Sequence, residues 1–249
     1  MRFSCPVCGR DEEILVDRTP HCLRCRVEMI AASDYSQLWM NPAMAIKRMK
    51  TVSETFGLER ARTDGRLKKE REAWATAVLA LALSKFNGEE WWIEIVTSEE
   101  TPDTRLRRID QSSGHNVIQT RSIEVVDWEE NVDDIMEVIR KKCERAYPSH
   151  YLLLVHARHV GKVLHFDRII EEVKKIKSPF LEIWVIAAVG PDQMIAVYVA
   201  PGVLRIDFTL SAELEKASKQ SSFLKRGKRG MSGGFHDLGL TFLPIPERN

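Results

Sequence analysis

The chain lacks an apolar run of membrane-spanning length, and its opening residues, MRFSCPVCGR, hold no apolar segment of the kind a secretory signal needs. These absences predict a cytoplasmic protein with no membrane partner. It also lacks a surplus of charge. With 37 basic and 36 acidic side chains the net charge is +1, so attraction to nucleic acid cannot come from the total and has to come from local patches. No internal repeat, long low-complexity segment or glycine-rich phosphate loop is present, which argues against a repeat array and against a loop-cradled nucleotide. What remains is the balance of a globular protein: 44% hydrophobic and 29% charged residues over a length of 249, enough for one domain and a small module.

Cysteine is scarce as well, with five in all, but four of them fall in two pairs, Cys5 and Cys8, then Cys22 and Cys25. A two-residue gap lets backbone amides fold back toward the sulfurs while both side chains point inward, so four thiolates at this spacing can close on one Zn²⁺. A closed shell leaves no position for water, and the expected role is structural. His21 reads as a solvent-facing neighbour. A disulfide framework fits poorly, because there is no secretory signal and the odd cysteine, Cys143, lies within an expected helix. Residues 1–30 are therefore expected to form a zinc ribbon whose folding depends on the metal. Arg10, Arg18, Arg24 and Arg26 around the pairs permit contact with nucleic acid, and a protein partner is the other possibility.

Residues 31–67 read as a helical connector, its helix opened by Asn41 as N-cap with Pro42 at the first position and closed near Gly57. A long helix follows over LKKEREAWATAVLALALSKFNG, with a charged beginning, a buried body and an Asn87-Gly88 stop. The period then changes to two. Strands are predicted over 91–98, 104–110 and 117–128, and a helix over 132–147 with Asn131 as its cap. The acids Asp127, Glu129, Glu130, Asp133 and Asp134 suit that helix N-terminus. YLLLVHAR (151–158) is apolar enough for a strand buried on both faces. A helix over 166–177 and strands over 181–189, 193–200 and 203–210 complete an α/β domain, a mixed central sheet flanked by helices, spanning 68–212.

Residues 213–249 read as a basic tail. From 216 to 230 there are six basic and no acidic side chains, among them Lys225, Arg226, Lys228 and Arg229. They form either a sequence-blind clamp on phosphates or a solvated end. His156, His159 and His165 read as polar residues at a sheet rim rather than metal ligands, and Cys143 has no paired histidine in a readable motif.

The order helix, three strands, helix, strand, with Pro102-Asp103 opening the second strand and Glu124 on the third, resembles the PD-(D/E)XK, or restriction-endonuclease-like, superfamily over roughly residues 68 to 190. The resemblance implies an Mg²⁺-dependent phosphodiesterase, an endonuclease, in which Asp103 and Glu124 hold the ion and Glu72 assists, with Glu70 as the fallback. A phosphodiester is already anionic, so attack by water requires a cation that cancels charge and acidifies its bound water. The family carries lysine two positions after the strand acid; this chain has Val126, which offers neither charge nor proton. Lys141 or Lys142 on the next helix is the expected replacement. Arg105 and Arg107, on the parity of Asp103, would steady phosphate charge. The chain thus reads as a nuclease-like protein acting on or binding nucleic acid, or as a non-catalytic nucleic-acid-binding or protein-interaction platform.

Overall fold

The computed structural model describes residues 2–4, 11–13, 30–31, 38–96, 102–110, 117–158, 162–219 and 223–225. Three short strands, β1 (Arg2–Ser4), β2 (Asp11–Glu13) and β3 (Ile30–Ala31), form an antiparallel sheet in the order β2-β1-β3. Cys5 and Cys8 fall in sequence between β1 and β2, and Cys22 and Cys25 between β2 and β3. All four lie outside the described residues, as do Arg10, Arg18, Arg24 and Arg26.

The large sheet runs through β4 (Leu38–Met40), β5 (Trp91–Ile95), β6 (Thr104–Asp110), β7 (Val117–Trp128), β8 (Tyr151–Ala157), β9 (Glu182–Ala188), β10 (Gln193–Ala200), β11 (Leu204–Thr209) and β12 (Phe223–Lys225). Its order among the described residues is β11-β10-β9-β8-β7-β6-β5-β4-β12. The pairs β7–β8 and β8–β9 are parallel and the rest antiparallel, so the sheet is mixed, as expected. Parallel neighbours need crossovers, and these are α4 (Ile135–Cys143) between β7 and β8 and α5 (Phe166–Lys174) between β8 and β9.

Alternation along each strand sorts the core into two layers. Leu152 and Leu154 of β8 join Ile123, Val125, Trp184 and Ile186 on one face, beneath α3 (Lys68–Asn87) and α1 (Pro42–Phe56). Leu153 and Val155 join Ile183, Val185 and Val197 on the other, beneath α4 and α5. A strand covered on both faces has no polar side to show, which is why YLLLV is unbroken. Helix α3 is likewise apolar all round in its body, with Ala75 through Ala82 buried against sheet and helices.

Local signals set the ends of these helices. Asn41 caps α1 by accepting from Ala43 N at 2.8 Å, and its amide donates to Ala217 O at 2.9 Å, which pins α1 to α6 (Leu210–Ser218). Gly57, at φ 84°, closes α1 and leads into α2 (Leu58–Thr63); Gly88, at φ 72°, closes α3 in the left-handed conformation that glycine reaches without strain.

Three details differ from the sequence reading. The cap of α4 is Asp134, which accepts from Met136 N at 3.1 Å, not Asn131; the helix starts three residues later because Asp134 can reach the N2 amide. Residues 210–218 form α6, whose Leu214 and Ala217 pack on the α3 layer and override the polar look of that stretch. Finally, β4, within the segment read as connector, and β12, within the segment read as tail, pair with each other at the sheet's edge. Among the described residues no helix is long and apolar enough to cross a membrane.

Candidate functional site

The sheet forks where β6 begins. The register Arg105↔Ser122 and Thr104↔Ile123 brings Asp103 and Glu124 to facing positions one step further on. Here β7 continues beside β8, while Pro102, which has no N–H, cannot extend the ladder backward. Asp103 fills the gap with its side chain: Oδ2 accepts from Val125 N at 2.9 Å, and the Asp103 amide donates to Ile123 O at 3.0 Å. Thr104 Oγ1 lies 2.7 Å from Thr76 Oγ1 and ties this strand end to α3. Both Pro102 and Asp103 are buried, so the dipeptide is no exposed turn.

Helix α3 delivers the second group. Glu72 is 3% exposed, and neither of its carboxylate oxygens has a hydrogen-bond partner. Lys68 Nζ stands 3.1 Å from Oε1 and Lys69 Nζ 3.0 Å from Oε2, as ion-pair contacts out of hydrogen-bond alignment. The same two amines reach Asp103 Oδ1, at 3.9 Å from Lys68 and 3.4 Å from Lys69. Burial first, then repulsion from Asp103, pushes the Glu72 carboxyl above its ordinary range, against the pull of Lys69 and Lys68. At Lys68 burial alone would favour the neutral amine, but Glu72, Asp103 and Glu124 outweigh it and hold the ammonium above its usual pKa. Glu70, two residues before Glu72 and so on the opposite side of the helix, is engaged by Arg48 of α1 in a two-pronged ion pair.

Glu124 is the third acid, 4% exposed. Its Oε1 accepts from Lys142 of α4 and, at 3.0 Å, from the Tyr147 hydroxyl; its Oε2 is buried without a partner. Burial and the neighbouring Glu124 push the Tyr147 hydroxyl up to about 12, so it stays protonated and donating at neutral pH. Val126 lines a cavity of about 310 Å³ together with Lys141, Lys142, Arg145, Asp127 and Glu129. Of the two lysines expected as replacements, Lys142 is placed on Glu124; Lys141 lines the cavity with no ion pair among the described residues.

The three acids therefore share one electrostatic field, but each faces an ammonium group. As placed, no three His, Cys, Asp or Glu side chains among the described residues stand close enough together to enclose a metal ion. The chemistry of the donor set nevertheless suits Mg²⁺: all ligands are oxygens, and three buried ones, both of Glu72 and Oε2 of Glu124, lack hydrogen bonds. An ion there would have to displace the ammonium groups of Lys68, Lys69 or Lys142.

Arg105 is paired with Glu94 at 3.1 Å, and Arg107 lies over the Trp39 ring at 5.3 Å, so neither guanidinium stands free. Lys225 sits in β12 opposite Leu38, and Arg226, Lys228 and Arg229 lie outside the described residues.

A second cluster was missed as a unit. Asp127 and His156 are register partners on β7 and β8; His156 Nδ1 is 3.0 Å from Asp127 Oδ1, and Arg158 donates to Oδ2 at 2.9 Å. Arg158 and Arg71 also donate to carbonyls at the end of α2, of Arg62, Ala61 and Asp64. Burial would raise the Asp127 pKa, but His156 and Arg158 outweigh it and hold it low. Asp127 is thus a strap between sheet and α2, not a helix N-terminal acid. Of the acids assigned to that helix start, Asp134 caps it, while Glu130 pairs with Arg62 and Asp133 with Lys162. His159 lies outside the described residues, and His165 occupies the N-cap position of α5 without a capping side-chain bond.

Lys68, Lys69 and Tyr147 escaped the sequence reading. The lysines had a signal, since they stand four and three residues before Glu72 on one helix. Tyr147 had none, because its approach depends on where the chain leaves α4. Comparison of the chain with family models, with curated proteins and with solved structures returns no match.

Two stability profiles follow. Glu72 binds its proton more tightly folded than unfolded, so its own contribution to stability is fully present at low pH and drains as pH rises through the raised folded value. Glu72→Gln is expected to raise the Tm by a few degrees at pH 8, with the gain vanishing near pH 4; a loss of Tm at pH 8 contradicts it. Asp127 has the opposite sign: its contribution is present above the ordinary 3.8 and lost as pH falls through the depressed folded value. Asp127→Asn should cost on the order of 2 kcal/mol at pH 7 in urea unfolding, with the deficit shrinking in acid.

Proposed function

We propose that this protein is a nuclease-like domain of the restriction-endonuclease type that engages the phosphodiester backbone of nucleic acid at the β6–β7 fork. The observation that carries the reading is the seating of Lys142 on Glu124, on the face that Val126 shares. A cation is returned there from the following helix. The element order α3, β5, β6, β7, α4, β8 and the facing positions of Asp103 and Glu124 support the same reading.

In this reading Asp103 and Glu124 hold Mg²⁺ and Glu72 assists. When bound, the ion neutralises phosphate charge and makes its water more acidic. The chain's own residues do the rest. Lys142, a point charge on a flexible stem, orients the attacking water or a phosphate oxygen where valine cannot. Tyr147, held protonated, steadies Glu124 and keeps its Oε1 fixed. Asp103, anchored by Val125 N, holds a set position as β6 departs. Arg105 and Arg107 exchange their contacts with Glu94 and Trp39 for phosphates that flank the site, and the basic run Lys225, Arg226, Lys228 and Arg229 offers further cations to the backbone. Cys5, Cys8, Cys22 and Cys25 bind a structural Zn²⁺, and the ribbon they close supplies a second contact, to nucleic acid or to a protein partner.

A second reading, a non-catalytic nucleic-acid-binding platform, is favoured by one observation: every acid of the fork already has an ammonium partner, in Lys68, Lys69 or Lys142. It requires salt-dependent binding that is indifferent to Mg²⁺.

Cleavage of labelled DNA and RNA, single- and double-stranded, in millimolar Mg²⁺ separates the two. The enzyme reading expects Asp103→Ala and Lys142→Ala each to lower the rate by about 10²-fold or more, while Lys141→Ala leaves it nearly unchanged. Cleavage that is indifferent to Asp103→Ala removes the site assignment. Binding without cleavage leaves the platform.

A further inference from the structure

Lys68 and Lys69 belong to no part of the machinery assigned above, yet they are the groups in contact with both Glu72 and Asp103. Their exposure differs sharply from that of the acids. The Lys68 side chain is 62% exposed and that of Lys69 31%, whereas the Glu72 and Asp103 side chains are 4% and 10% exposed. Each lysine thus springs from the solvent side of the first turn of α3 and dips its amine toward carboxylates that cannot move out to meet it. Glu72 sits on a buried helix face, and Asp103 is fixed by Val125 N. Lysine side chains in this position can rotate away without disturbing the core. A cation is needed in their absence, because two neighbouring buried carboxylates repel each other and are poorly solvated.

We infer that Lys68 and Lys69 are tethered counter-cations that occupy Glu72 and Asp103 in the resting protein and compete with a divalent metal ion for them. The inference rests on the fork being the site proposed above. Metal then binds only as the ammonium groups leave, so the intrinsic affinity of the acids is reduced by the free energy of the four contacts the two lysines make. A polyanion reverses that reduction. Phosphates along the mouth of the fork draw the exposed Lys68 and the half-buried Lys69 outward, and the freed carboxylates take up the metal. Binding of nucleic acid and of metal is therefore mutually reinforcing, and by linkage each tightens the other by the same factor.

A metal ion or a proton on Glu72 can replace the charge the lysines supply, which makes them testable in the full-length protein. Mn²⁺ is titrated calorimetrically into the wild-type chain and into the double variant Lys68→Ala/Lys69→Ala, with thermal unfolding as a check that both are folded. The double variant is expected to bind Mn²⁺ at least tenfold more tightly than the wild type. Should it fail to fold, the single variants Lys68→Gln and Lys69→Gln carry the test, each expected to tighten binding several-fold. Folded variants that bind Mn²⁺ no more tightly than the wild type overturn the inference. A second titration, of Mn²⁺ into wild-type protein saturated with a 20-nucleotide single strand, tests the linkage. A tenfold gain supports it. A gain in the lysine variants with no binding of the strand at all keeps the counter-cation assignment and overturns the nucleic-acid reading on which the function was proposed, so the two failures are distinct.

Discussion

Carboxylates at the end of a forked sheet set the main constraint on this molecule. Where β6 and β7 part, the backbone runs out of partners, and Asp103 supplies a side-chain oxygen to Val125 N in place of a carbonyl. That repair places an anion in a buried position, beside Glu72 on α3 and facing Glu124 on β7. Burying like charges together disfavours their ionised forms, and the raised pKa of Glu72 records the strain. The surroundings answer it with ammonium groups from two helices, Lys68 and Lys69 from the start of α3 and Lys142 from the end of α4. The arrangement of helices on opposite faces of the sheet is what lets amines arrive from both sides.

The same balance decides between chemistry and binding. A site that handles phosphodiesters needs net positive charge when substrate arrives, whether from a metal ion or from side chains. Here the position two residues after Glu124 is valine, and the amine on Glu124 comes from Lys142, 18 residues along the chain, on a helix whose start is fixed by Asp134. Valine at 126 instead lines a cavity beneath that amine. A nearby but separate network, Asp127 with His156, Arg158 and Arg71, ties the ends of β7 and β8 to α2.

Much of the architecture was legible in the sequence, for physical reasons that can be named. The strands 104–110 and 117–128 have the bounds that alternation and the turn residues around them gave, and α3 ends at the Asn87-Gly88 stop. Long periodic elements with sharp caps carry their own signal. Short edge strands do not: β12 exists through β4 and β4 through β5 and β12, and nothing local in Leu38–Met40 or Phe223–Lys225 announces the partner. Helix α6 was hidden because its packing face is Leu214 and Ala217 amid charged neighbours. Within the site, Asp103 and Glu124 could be placed from register alone, since facing positions on neighbouring strands follow from spacing. The direction of each carboxylate could not. It depends on where Lys69, Lys142 and Tyr147 come to rest, and those are tertiary facts.

The central claim is that amines, not solvent, neutralise the fork. A high-resolution crystal structure of the metal-free protein measures this most directly. The account predicts the Lys69 amine between Glu72 and Asp103 and the Lys142 amine on Glu124, each within ~4 Å of a carboxylate oxygen. Well-ordered lysine side chains extended into solvent, with water alone around the three acids, would contradict it.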